Sequence, residues 1–218
     1  KTPYNLRNCA YLEEFQKEKI VYSEIVQTAQ FYLDRDSFFP EATAFTITGE
    51  NLKYLIALLN SSFVTYIFKK FYMGGELGNK GYRYKKIFLE QIPIPRIEQN
   101  RQKPFEILVD YIIYLRKKSL EVKIDSYVSN EHISKQFEDV IDAMVFELYF
   151  KEEFISKDIE FIRYVKEDFF SIEDLDDSLK EKIIRDSYLK LTESKNKIRN
   201  NLLLLPIEFD FIKTIIWS

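Results

Sequence analysis

Apolar positions divide the chain into two unlike halves. Beyond residue 104, Phe105, Leu108, Val109, Ile112 and Leu115 recur at helical spacing, with Pro104 suited to a first helical turn. A second helix is predicted over 130–150, with Ile133, Phe137, Val140, Ile141, Met144, Val145 and Leu148 on one face. Two more are predicted near 156–169 and 178–199, with Asp174, Asp176, Asp177 and Ser178 marking the break and offering N-caps. Residues 105–205 contain neither glycine nor proline, the mark of a helical region. The first hundred residues read differently. Residues 20–26 are β-branched and aromatic enough for a strand, and Phe45 and Ile47 alternate with Thr46 and Thr48 in another. Residues 30–33 suit a hairpin partner, followed by a turn over 34–40, and two short helices meet at Asn60 and Ser61. The pattern predicts an α+β protein: a small mixed domain with a short sheet over 1–100, then a mostly helical region over 101–218. The junction is expected between Pro95 and Pro104, where the composition switches.

One stretch departs from both patterns. After an apolar helix reaching Lys69 and Lys70, a loop holds four of the chain's five glycines, Gly74, Gly75, Gly78 and Gly81. It leaves through Tyr82, Arg83, Tyr84, Lys85 and Lys86 towards the stiff Pro93-Ile94-Pro95 segment. Residues 69–86 carry six Lys or Arg against the single acid Glu76, a basic loop with interleaved aromatics suited to nucleic acid. The net charge of −3 does not oppose this, because it is unevenly spread. Residues 1–124 hold 19 basic against 14 acidic side chains, and residues 125–218 hold 13 against 21. DNA is drawn to local positive patches, so the N-terminal part is the candidate DNA face.

The string Lys53-Tyr54-Leu55-Ile56-Ala57-Leu58-Leu59-Asn60-Ser61-Ser62 resembles a helix junction of DNA target-recognition domains. Tyr82 to Lys86, Phe88, Leu89, Glu90 and Ile92 to Pro95 are similar to the exit that follows their Gly-rich loop. Val140-Ile141-Asp142 and Phe146-Glu147-Leu148-Tyr149 resemble a helix often found after it. The family is the C-terminal specificity domain of Eco57I-like and TaqI-like restriction-modification methyltransferases, and the resemblance spans about residues 10 to 150. It implies recognition of a short double-stranded DNA sequence on behalf of a methyltransferase or a fused methyltransferase-nuclease. It also implies S-adenosylmethionine in a catalytic domain of the same parent chain. This chain carries no polar-Pro-Pro-Tyr tetrapeptide, no Gly-rich turn after a strand and no Pro-Asp…Glu-X-Lys nuclease pattern. The fragment is therefore expected to be non-catalytic, with no cofactor of its own.

The expected DNA-binding residues are Lys69, Lys70, Lys80, Tyr82, Arg83, Tyr84, Lys85 and Lys86. The lysines suit phosphates, and the Arg83 fork also matches guanine O6 and N7. Tyr82 and Tyr84 are included, although alternate positions of an extended segment equally suit a core. The lone His132 reads as a surface residue, the acids at 174–177 as a cap and solvated turn, and Asp142 and Glu147 as polar ties between helices. One cysteine, Cys9, rules out an internal disulfide, suits the cytoplasm and, with one histidine, excludes a Cys/His zinc site. No apolar run is long enough to span a membrane. Beginning at Lys1, the chain reads as an excised piece of a longer one. The competing class is a helical protein-interaction module, its acidic half docking on a partner and its basic loop incidental.

Overall fold

The computed structural model describes residues 12–40, 43–72, 81–118 and 123–216. After a 3-10 turn at Leu12–Gln16, strand β1 (Lys19–Ser23) lies between β3 (Tyr32–Asp34) and β4 (Ala44–Ile47) in an antiparallel sheet. Its register pairs Ile20 with Leu33 on one side and with Ile47 on the other. The strand predicted over 20–26 breaks at Glu24. The Glu24 N–H donates to Thr43 O at 3.2 Å, and its carbonyl accepts from Tyr84 N at 2.8 Å. The chain thereby leaves the first sheet, and β2 (Ile25–Val26) pairs instead with β5 (Tyr82–Arg83).

Helices α1 (Leu52–Leu59) and α2 (Ser62–Ile67) meet at Asn60 and Ser61, and α2 runs into a π-helical turn at Phe68–Tyr72. Ser61 caps α2, its Oγ accepting from Val64 N at 3.2 Å. A one-turn helix α3 (Lys86–Leu89) and an extended stretch through Pro93 and Pro95 lead to the long helices α4 (Gln99–Lys118) and α5 (Asn130–Tyr149). Helix α4 begins five residues before Pro104 rather than at it. The Glu98 carbonyl accepts from the N–H groups of Arg101 and Gln102, which starts the helix early. The bond Pro104 cannot donate would go to Asn100, an exposed residue whose carbonyl water can serve.

The remaining helices are α6 (Lys151–Ser156), α7 (Ile162–Asp168), α8 (Asp177–Thr192), α9 (Lys197–Glu208) and α10 (Asp210–Ile216). The helix predicted near 178–199 is thus divided, and the one predicted near 156–169 begins only at Ile162; a polar cap sets each start. The Asn196 side chain accepts from Arg199 N at 3.0 Å and starts α9. The Glu147 carboxylate accepts from Phe161 N at 2.6 Å and Ile162 N at 2.9 Å and starts α7. Asp176 caps α8 as its position suggests, accepting from Leu179 N at 3.0 Å.

Apolar packing crosses the expected junction. The rings of Tyr54 and Phe105 lie 5.4 Å apart, and Phe63 packs against Phe146, Tyr149 and Phe150. One core therefore joins the sheet and short helices to α4 and α5. Polar ties reinforce it where the backbone is extended. Tyr149 Oη donates to Pro93 O at 2.7 Å and Tyr54 Oη to Pro95 O at 2.9 Å, and burial raises both tyrosines, Tyr54 to about 12.

Candidate nucleic-acid interface

The two flanks of the Gly-rich loop are held by one aromatic cluster. Phe68 in the π-helical turn lies 4.4 Å from the Tyr84 ring and 6.1 Å from Tyr82, and Tyr84 sits 4.9 Å from Phe31 at the start of the β3 strand segment. Tyr82 and Tyr84 are 1% and 2% exposed, and their hydroxyls face each other at 3.4 Å. This corrects their place among the DNA-binding candidates. Both rings are spent on the core, and burial pushes both hydroxyls above the ordinary range. Packing decides between the two readings of an alternating segment, because a tyrosine ring removes far more apolar surface from water than an Arg stem does.

The same alternation turns Arg83 outward. Arg83 is exposed between the two buried rings, opposite an Ile25 that is itself 58% exposed. Lys85 and Lys86 follow, both exposed, and Lys86 approaches Glu90 at 3.5 Å. Neither Arg83 nor Lys85 makes an ion pair among the described residues. On the other flank Lys70 is exposed with its ammonium 5.6 Å from the Tyr66 ring, and the partly buried Lys69 lies 5.3 Å from the Tyr82 ring. A cation over an aromatic face is partly satisfied yet keeps its charge for a phosphate. Tyr72 Oη donates to Gln91 O at 3.1 Å, tying the π-helical turn to the segment after α3. Lys80 lies outside the described residues.

The sequence pattern did not single out Phe71 and Ile87, which are 76% and 64% exposed on the elements carrying Lys70 and Lys86. The available signal was a large apolar residue directly beside a lysine in each short helix. It also left unexplained how the junction motif works. Asn60 hydrogen-bonds both backbone groups of Phe31, and Asp142 Oδ1 accepts from Ser62 N at 2.8 Å. Burial raises Asp142 to about 6, against the lowering effect of the Ser62 N–H hydrogen bond and Lys135. These motif residues hold the helix junction and, through it, the turn that carries Lys69 and Lys70.

A cleft of about 1390 Å³ between β3 and helices α4 and α5 is a poorer DNA groove, because four of the cations in its lining, Arg35, Arg116, Lys118 and Lys135, are already paired. Arg35 binds Glu18 and Asp110, Arg116 binds Glu138, and Lys118 binds Asp177. Among the described residues no group of three His, Cys, Asp or Glu side chains is placed to hold a metal ion, and no helix is long and apolar enough to cross a membrane.

Residues 2–94 match the family model of the TaqI-like C-terminal specificity domain. The match contains the helix junction at Asn60, the Gly-rich loop and its basic exit, and it ends at Ile94. No curated protein matches the chain.

Proposed function

We propose that this chain reads a short double-stranded DNA sequence for an Eco57I-like, type IIG restriction-modification enzyme of the adenine-methylating kind. The match of residues 2–94 to a specificity domain supports the coarse class. The observation that carries the DNA face is Arg83, thrown outward by a strand whose neighbouring tyrosines are buried and without an ion pair among the described residues, with Lys85 and Lys86 beside it. Phosphates would be met by Lys69, Lys70, Lys85 and Lys86, which sets the register of the duplex. A base edge would be met by the Arg83 fork. Catalysis, S-adenosylmethionine and base flipping belong in this reading to a methyltransferase domain of the same cytoplasmic parent chain, which acts in defence against phage.

The test is selection of duplexes from a random pool, followed by titrations on matched and scrambled DNA over several salt concentrations. Each phosphate contact removed by a Lys→Ala change should lower the salt slope by about 0.9. Arg83→Ala should cost about 1–3 kcal/mol on the selected sequence and relax selectivity at one position. Unchanged affinity and slope in a combined Lys70, Arg83, Lys85 and Lys86 variant would place the DNA face elsewhere.

A further inference from the structure

An open concavity lined by three cations lies where the first turn of α4 meets the acidic C-terminal part, away from the basic strand. The pocket, of about 260 Å³, is lined by Asn100, Arg101, Glu147, Ile162, Arg163 and Lys166. Its cations and amide come from two elements, and its carboxylate, Glu147, comes from α5. The first turn of α4 supplies Asn100 and Arg101, and α7 supplies Arg163 and Lys166, three positions apart and so on one helical face.

The charges in this pocket are only partly balanced from within, by the attraction between Arg101 and Glu147. Arg101 and Lys166 form no ion pair or side-chain hydrogen bond among the described residues, and neither does the Asn100 amide. Arg163 is already shared between Glu160 at 3.3 Å and Glu167 at 3.1 Å, so it stands at the rim. The one lining carboxylate, Glu147, has its Oε2 committed to the N–H groups of Phe161 and Ile162. A cation in a first helical turn also opposes the helix dipole, so Arg101 gains nothing from the α4 macrodipole. Three cations against one carboxylate, two of the cations without an ion pair among the described residues, next to a neutral amide donor, make a site that an anion would complete. A guanidinium, an ammonium and an amide match the oxygens of a tetrahedral oxyanion.

We infer that Arg101, Lys166 and Asn100 form a phosphate-binding site, with Arg163 at its rim. The ligand class is a phosphate group, whether a free phosphate or a phosphodiester of a nucleic-acid strand reaching past the specificity domain. The site owes nothing to the residues proposed to read DNA, so either reading can fail alone.

Inorganic phosphate is titrated into the full chain at constant ionic strength with chloride as the control, following the side-chain NMR signals of Arg101 and Asn100. Saturable shifts with phosphate and none with chloride are expected. Lys166→Ala and Asn100→Ala, both at exposed positions, should each weaken the binding roughly tenfold with no change in melting temperature. Arg101→Gln should abolish it. Salt titrations with duplex DNA then separate the sources. A slope reduced by about 0.9 in Lys166→Ala assigns the site to a DNA phosphate, and an unchanged slope assigns it to a free phosphate. Phosphate shifts no larger than those with chloride, or shifts that survive in all three variants, overturn the inference.

Discussion

The side chain of Asn60 pairs with the backbone of Phe31 as a neighbouring strand would. Its Oδ1 accepts from Phe31 N–H and its Nδ2 donates to Phe31 C=O, both at 2.9 Å. A side-chain amide carries both an acceptor and donors, so one side chain can satisfy the N–H and the C=O of one residue at the edge of a sheet. This bond pair pins the α1–α2 junction to the sheet, and the junction sets where the π-helical turn begins.

Removing that amide leaves two backbone groups without partners. Asn60→Ala should destabilise the chain by about 2–4 kcal/mol, from the two unsatisfied groups. Asn60→Asp keeps the acceptor but sets a carboxylate against the Phe31 carbonyl and should recover little of it. Urea denaturation at pH 7 measures both variants.

Asp142 should make stability fall as pH rises. Its folded pKa, about 6, lies above its ordinary 3.8 because burial disfavours the charged form. Its contribution is therefore fully present below about 4 and lost as pH passes through 6. Asp142→Asn can still accept from Ser62 N–H and should be more stable than the wild type at pH 7 by roughly 1–3 kcal/mol. The gap between the two proteins should close by pH 4 in denaturant titrations; a gap independent of pH would mean Asp142 is not titrating in this range.

The tyrosines beside Arg83 should behave as core residues. Tyr84→Ala should cost about 3–5 kcal/mol of stability, as for other large buried rings. Tyr84→Phe keeps the packing and loses only the contact with the Tyr82 hydroxyl, so it should leave DNA affinity and salt slope unchanged. A Tyr84→Phe variant that folds normally but loses sequence selectivity would return Tyr84 to the interface.

Lys19 and Asp34 form an ion pair with neither side chain exposed, and the same carboxylate accepts from Asp36 N and Phe38 N at 2.8 and 2.9 Å. Burial pushes the Asp34 pKa up, but the Lys19 bond, the two amides and the Lys19 charge outweigh it and hold the group below its ordinary range. Asp34→Ala strands a buried ammonium and frees the turn, and should cost about 3–5 kcal/mol. A double change of Lys19→Met and Asp34→Leu should restore part of that loss, as a thermal melt would show, because no buried charge is then left alone.

Long helices were legible from residue spacing alone. Helix α5 lies within a residue of its predicted span, because an unbroken apolar face and the cap Ser129 act locally. The divisions between α6 and α7 and between α8 and α9 were not legible. They rest on Glu147 reaching two amides from another helix and on Asn196 winning its backbone from a continuing helix pattern. The break at Glu24 was hidden for the same reason, since its carbonyl is claimed by Tyr84, sixty residues on.

The sequence by itself determined the α+β order, the division of charge, the specificity-domain motif and a basic aromatic segment, since these depend on composition and on neighbours a few residues apart. Only the tertiary structure decided which side of that segment faces outward. Residues 82 to 84 alternate whichever way the strand is turned, and nothing local tells the tyrosine side from the arginine side. Phe68 and Phe31, brought in from distant positions, supply the apolar pocket that takes Tyr84 and Tyr82. With both rings buried, the pleat leaves Arg83 in solvent.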